Sequence, residues 1–423
     1  MILFGAGSSI PFDIPGMAGF TKRFIARNDD ITEFMTKIGK SISNSEEIIG
    51  VPLSFDLEAL LSILNDLSEA KPEKPISIAT ASLLVEQGLD IKTAREKYGD
   101  VASTAFDRLR KFIFKICMQP IRKGERKRNF GFLDRFYGPL LTVLNRGDLT
   151  NIQNSVRKIY TTNWDLCFKT WSDYVSIPID DLTRMDKQSL PILDYSKEFR
   201  STSGFHYVPL HGSIDLVKIS RLKGKGSYEE VQKITGKPKN IRDVFIIYPL
   251  EAIGYEESVK SPYLDMLNLF RSSLRAEEII FIIGYSLRDP TIGSIFEEII
   301  GERIRNGDLA PTSKSLDLRK SEGSKHRFKI IVINPNPEKL VENLRKQFST
   351  NLLQTFIPIK IEFPKTTDEK FDEKMTGMLS QLIEDFVHIR YITTEHAERI
   401  VGVLNLKYGT RIKARDFPWK KKK

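Results

Sequence analysis

The first apolar run of the chain is only three residues long, Ile2 to Phe4, and it stops at Gly5. Short runs of the same kind recur at Lys158 to Thr161, His206 to Leu210, Val244 to Tyr248, Ile279 to Ile283 and Lys329 to Ile333. They are continuous rather than alternating, which suits strands covered on both faces. Between them the apolar spacing lengthens to three and four residues, as at Leu57, Leu60, Leu61 and Leu64. That period predicts helices at Gly16 to Ile25, Asp56 to Leu67, Ile78 to Lys97, Val101 to Cys117, Phe132 to Leu144, Pro262 to Leu274 and Pro290 to Ile304. Strands alternating with helices mean an α/β fold, a Rossmann-like parallel sheet flanked by helices. The stretch Asp29 to Asn154 has little strand character and is expected to be a large helical insertion, its Leu and Phe positions serving packing. Lys218 to Arg242 is polar, basic and glycine-bearing, and reads as a mobile loop or small flap. After Asn334 the pattern predicts a helix at Pro337 to Phe348 and a strand at Ile357 to Phe363. C-terminal helices follow at Asp368 to Ile389 and Thr393 to Leu406, then a frayed basic tail.

Composition narrows the class. Apolar residues make up 40% of the 423 positions, enough for a proper core. No run approaches the roughly 20 apolar residues of a membrane-spanning helix, and no leader segment is visible. Cys117 and Cys167 are the two cysteines. They exclude a Cys-only four-ligand zinc site and argue against a secreted disulfide scaffold. The expected setting is cytoplasmic. The net charge of +10 is spread widely, with clusters at Arg122 to Arg128, Lys218 to Lys225 and Lys420 to Lys423. None of these has the interleaved aromatics of a single-strand-binding platform. Direct nucleic-acid binding is therefore not expected, and neither is a membrane partner.

The chemistry gathers just past the strands. Gly5-Ala6-Gly7-Ser8-Ser9 follows the first, Thr161-Thr162-Asn163-Trp164-Asp165 the second, and His211-Gly212-Ser213 the third. Gly284-Tyr285-Ser286 and Asn334-Pro335 stand after two later ones. Each has an ordinary explanation: Asn163 and Asp165 as helix caps, His211 as a structural histidine, the rest as turns. Their coincidence at strand ends favours a site, because ligands of open α/β sheets bind outside the carboxyl ends of the strands. A glycine turn between a strand and a helix also suits a phosphate, through backbone N–H groups.

These motifs, in this order, resemble the sirtuin-like family. Gly5-Ala6-Gly7-x-Ser9 matches its Gly-Ala-Gly-x-Ser loop, with Ile14-Pro15 at its Ile-Pro. Thr161 to Asp165 looks like its Thr-Gln-Asn-x-Asp, His211-Gly212 like its His-Gly, Gly284-Tyr285-Ser286 like its Gly-x-Ser, and Ile333-Asn334 like its Ile-Asn. The Gly-Tyr-Ser-Leu-Arg-Asp-Pro run and the helical insertion look most like sirtuin-like proteins of prokaryotic anti-phage defence. Two features depart from the protein deacylases of the family. The interval between His-Gly and Gly-x-Ser has no cysteine for their zinc ribbon, and Ile14-Pro15-Gly16-Met17-Ala18 replaces Ile-Pro-Asp-Phe-Arg.

The resemblance implies a sirtuin-like NAD-binding domain over 1–350 and a strand and helical extension over 351–423. It implies NAD as substrate, no zinc, and hydrolysis to nicotinamide and ADP-ribose in abortive infection. The alternatives are an NAD-dependent deacylase and a non-catalytic NAD or ADP-ribose sensor. Catalysis would fall to Asn163, holding the nicotinamide ribose and a water, and to His211 as general base. NAD binding would fall to Gly5, Ala6, Gly7, Ser9, Thr162, Asp165, Gly284, Ser286 and Asn334. Asp165 would take the nicotinamide carboxamide, and Ser286 and Asn334 the adenosine side. Self-assembly is the first expectation for a partner, a HerA-type hexameric ATPase the second and an Argonaute-type protein the third. The bare first strand leaves two expectations: neighbouring strands hold it, or the native start lies upstream of Met1.

Overall fold

A computed structural model describes residues 1–27, 31–50, 53–68, 76–127, 129–147, 157–186, 188–194, 199, 204–223, 226–247, 261–287, 289–306, 328–338, 340–342, 356–413 and 417. The apolar runs form the strands of a seven-stranded sheet: β1 (Ile2–Phe4), β2 (Lys158–Thr161), β3 (Ile179–Asp180), β6 (Phe205–Pro209), β10 (Ile279–Ile283), β11 (Lys329–Asn334) and β12 (Phe356–Lys360). Their order is β12-β11-β10-β1-β2-β6-β3, and every pairing is parallel. Ile2 and Phe4 face one apolar cluster and Leu3 the other, as the two-residue period of a strand requires. Both faces are covered, which is why the runs are continuous. β1 is held from both sides, Leu3 lying opposite Ile282 of β10 and Tyr160 of β2.

On one face lie α1 (Met17–Ile25) and the insertion helices α2 (Thr32–Ser43), α4 (Leu57–Ser68), α5 (Ile78–Gln87), α6 (Ile91–Cys117) and α8 (Gly131–Leu144), with α3 (Ser45–Ile49) against α2 and α5 and α7 (Gln119–Lys127) against α6. The C-terminal helices α12 (Phe371–His388) and α13 (Thr394–Tyr408) join them there. On the other face lie α10 (Tyr263–Ala276) and α11 (Pro290–Arg305). The helix breaks differ from the predicted ones for a local reason. Gly88 adopts φ 61 and ends α5, and the Asp90 side chain accepts the Thr93 amide to start α6, which then runs unbroken through Val101. β12 extends the sheet beyond β11, with Pro358 opposite Val332, a position open to proline on an edge strand.

The expected flap is a correction. Residues 212–223, 226–233 and 244–246 form three strands of a second, antiparallel sheet of five, ordered β4-β5-β8-β7-β9. Its strands are β4 (Thr183–Met185), β5 (Pro191–Leu193), β7 (Gly212–Lys223), β8 (Gly226–Lys233) and β9 (Val244–Ile246). The Val244 run thus belongs to this sheet and not to the parallel one. Leu216, Val231 and Phe245 pack it onto the α10–α11 face. The predicted helix at 337–348 lies largely outside the described residues. Among the described residues, no helix is long and apolar enough to cross a membrane.

Candidate active site at the strand ends

From β1 the connections lead one way across the sheet, to β2 and β6. From β10 they lead the other way, to β11 and β12. The order reverses between β1 and β10, the place where open α/β sheets bind ligands. The loops from these two strands are pressed together. The Gly5 amide donates to the Ile283 carbonyl at 2.9 Å, and the Gly7 amide to the Gly284 carbonyl at 2.8 Å. Gly284 sits at φ +64, and a Cβ there would overlap the Ser8 amide nitrogen. The glycines therefore serve loop-to-loop packing first. The Ser8 amide is also engaged, donating to the Gly5 carbonyl at 2.9 Å. Three amides expected to cradle a phosphate are thus bonded within the protein. Ala6 opens the 3-10 turn Ala6–Phe12 that follows.

A second set of contacts joins the β1 and β2 loops. The Thr162 amide donates to the Phe4 carbonyl at 3.0 Å. The Ser9 hydroxyl donates to Asp165 Oδ2 at 2.6 Å, and the Cys167 amide to Asp165 Oδ1 at 2.9 Å. Asp165 therefore does act at the start of α9 (Cys167–Tyr174), and it also fixes Ser9. Asn163 Nδ2 donates to Ser9 Oγ at 2.8 Å and to Ser8 Oγ at 3.0 Å. The Ser8 hydroxyl is spent on the Gly5 carbonyl at 2.8 Å, and the Ser9 hydroxyl on Asp165. Both oxygens can then only accept, so the amide of Asn163 must face them with its NH2 group. Asn163 Oδ1 is turned the other way, buried and without a hydrogen-bond partner.

His211 is 2% exposed, and its Nε2 lies 2.6 Å from Asp289 Oδ2. Asp289 Oδ1 accepts the Thr291 amide at 2.7 Å and the Ile292 amide at 3.1 Å, capping α11. Burial alone would raise the Asp289 carboxyl. The hydrogen bond from His211, with the Ile292 and Thr291 amides, outweighs burial and holds it below its ordinary value. His211 follows β6 and Asp289 follows β10, and β1 and β2 lie between those strands. Three strand spacings of about 4.8 Å have to be crossed, so the pair reaches over the ends of β1 and β2. His211 Nδ1 is buried and has no partner. The β6 loop is tied to the β2 loop by the Ile214 amide, 3.0 Å from the Trp164 carbonyl.

Asn334 Nδ2 donates to the Tyr285 carbonyl at 3.3 Å, and the Asn334 carbonyl accepts the Ile361 amide at 3.0 Å. Ser8, Ser9, Thr162, Asp165, His211 and Asp289 are buried, Asn163, Gly284 and Asn334 half-buried, and Ser286 exposed. The partly open positions at these strand ends include Ala6, Gly7, Asn163, Gly284, Ser286 and Asn334. Burial, and after it the Asp165 charge, push the Cys117 and Cys167 thiols well up, so neither is an activated nucleophile. Among the described residues, no group of three or more His, Cys, Asp or Glu side chains could hold a metal ion.

Asp289 is the residue that sequence reasoning missed. It lies in the Gly-Tyr-Ser-Leu-Arg-Asp-Pro run, and by itself Asp289-Pro290 reads as an N-cap followed by proline at the first helical position. Nothing in that dipeptide points 78 positions back to His211. No model of a protein family matches the chain, and no curated protein matches it.

Proposed function

We propose that the chain is an NAD glycohydrolase that cleaves NAD to nicotinamide and ADP-ribose, acting as an effector of anti-phage defence. One observation supports the chemistry. Asn163 Oδ1 and His211 Nδ1, open atoms of the two residues the motifs mark as catalytic, are buried and lack partners. An unmet buried polar atom costs about 1–3 kcal/mol, so a ligand that met both would gain from it. Ribose hydroxyls and a water are donors of the right kind. The defence role rests on the motif resemblance.

In this reading Asn163 Oδ1 accepts from the nicotinamide ribose or the attacking water. The N-glycosidic bond breaks, nicotinamide leaves with the bonding pair, and the water oxygen adds to the anomeric carbon. His211 receives the water proton. Asp165 already accepts from the Ser9 hydroxyl and the Cys167 amide, and here it also accepts the carboxamide N–H. The pyrophosphate runs past Gly284 and the exposed Ser286, because the Gly5, Gly7 and Ser8 amides are engaged. Cleavage passes through an oxocarbenium-like state, for which fixed positioning and charge supply the acceleration. The proposal sets the chain with the cytoplasmic NAD pool, assembled with copies of itself or with an ATPase.

The test is NAD incubated with the full chain, first alone and then with an acetyl-lysine peptide. Nicotinamide and ADP-ribose formed without peptide support the reading. Turnover only with peptide replaces it with deacylation, and binding without turnover replaces it with a sensor.

A further inference from the structure

We infer that Asp289 is a positioning residue that holds His211 in the tautomer protonated on Nε2, leaving Nδ1 as the bare, proton-accepting atom of the site. The inference rests on the reading of His211 as the base, but its structural half stands without turnover. Asp289 is held below its ordinary value and so is a carboxylate near neutral pH. A carboxylate oxygen can only accept. At 2.6 Å from it, Nε2 must carry the proton. In a neutral imidazole the other nitrogen is then an acceptor. That nitrogen, Nδ1, is the buried atom without a partner. The two oxygens of Asp289 divide the work, Oδ1 taking the Thr291 and Ile292 amides and Oδ2 taking His211. The proton on His211 is thereby set by the N-terminus of α11, an element that starts beside the Gly284 loop.

This division gives a sharp test in Asp289→Asn. The Thr291 and Ile292 amides need an acceptor, so the amide oxygen of Asn stays with them. Its NH2 group then faces His211 and can only donate. Nε2 must become the acceptor, and the proton moves to Nδ1. The fold and the cap are retained while the tautomer inverts. The experiment is nitrogen-15 NMR of histidine-labelled full chain, with the His211 signals assigned by their loss in His211→Asn. The expected result is a protonated Nε2 and bare Nδ1 in the wild type, and the reverse in Asp289→Asn. The thermal midpoint should stay close to the wild type, while kcat for NAD loss falls about 100-fold or more with KM little changed. A wild-type ring protonated on Nδ1, or on both nitrogens, overturns the inference, and so does an Asp289→Asn variant that keeps its tautomer or its kcat. The wild-type spectrum decides the structural half even if the variant does not fold. A wild type that leaves NAD intact while showing the expected tautomer refutes the hydrolase reading and not the Asp289 assignment.

Discussion

Gly7 and Gly284 touch backbone to backbone. The Gly7 amide donates to the Gly284 carbonyl at 2.8 Å, and a Cβ on Gly7 would lie 2.8 Å from the Gly284 Cα. This contact locks the loops of β1 and β10 at the point where the strand order reverses.

Gly284→Ala is the substitution that strains it most. The position has φ +64, which costs a residue with a Cβ about 1–2 kcal/mol. Overlap with the Ser8 amide nitrogen adds to that. The expected loss is about 2–4 kcal/mol, in the range of single substitutions that create backbone strain or overpacking. Urea unfolding measures it, and a loss under about 0.5 kcal/mol, the size of an ordinary surface change, refutes the tight contact.

Ser9→Ala removes the link between Asp165 and Asn163. Asn163 loses the acceptor at 2.8 Å and keeps the one on Ser8 at 3.0 Å. Stability is expected to fall by about 1 kcal/mol, the size of one buried hydrogen bond. NAD turnover is expected to fall less than in Asn163→Ala, because the acceptor Oδ1 is still present. Equal losses in the two variants would show that Ser9 does more than orient the amide.

Much of this arrangement is legible in the sequence, for physical reasons that can be named. Ile279 to Ile283 and Lys329 to Ile333 are read as strands because both faces are buried and the run is wholly apolar. β8 escapes because Gly226–Lys233 is polar and becomes a strand by pairing with β7, which apolar spacing does not record. The α5 to α6 break escapes because the turn at Gly88 is decided by backbone geometry and one cap, not by apolar spacing. At the site, Asn163 and His211 are read as neighbours from their strand ends. The direction each side chain faces is set by hydrogen bonds that join distant segments, Ser9 to Asp165 and His211 to Asp289. Those pairings leave no periodic trace.

Lys169 ties α9 to β7 beside the site. Its Nζ lies 2.9 Å from Asp215 Oδ2 and 3.1 Å from Asp181 Oδ2, all three side chains buried. Lys169→Met leaves two carboxylates buried, with Lys233 remaining on Asp181 at 2.7 Å. Breaking a buried pair in this way is expected to cost about 3–5 kcal/mol. Lys169→Met combined with Asp215→Leu should cost less than Lys169→Met alone, and thermal unfolding of the two variants distinguishes them.

The same cluster sets a pH window. For Asp181 burial alone would raise the carboxyl, but the charges of Lys169 and Lys233 outweigh it and lower it well below 3.8. For Lys169 burial alone would lower the ammonium, but Asp215 and Asp181 outweigh it and raise it above 10.5. A lowered acid contributes stability above its unfolded value and loses it as pH falls through the folded one. A raised base contributes below its unfolded value and loses stability as pH rises through the folded one. The contribution of these groups should be flat between 3.8 and 10.5 and fall outside those limits. Asp181→Asn should show a shallower acid limb in urea midpoints measured against pH. An unchanged acid limb would mean that Asp181 is not held below its ordinary value.

The most direct measurement compares NAD loss by the purified full chain with that by Asn163→Ala and His211→Ala, with no peptide present. The account expects nicotinamide and ADP-ribose in equal amounts from the wild type. It expects loss of about 100-fold or more in each variant, the usual weight of a positioned acid–base or orienting group, with circular dichroism unchanged. A wild type that leaves NAD intact, or variants that consume it at the wild-type rate, would contradict the account.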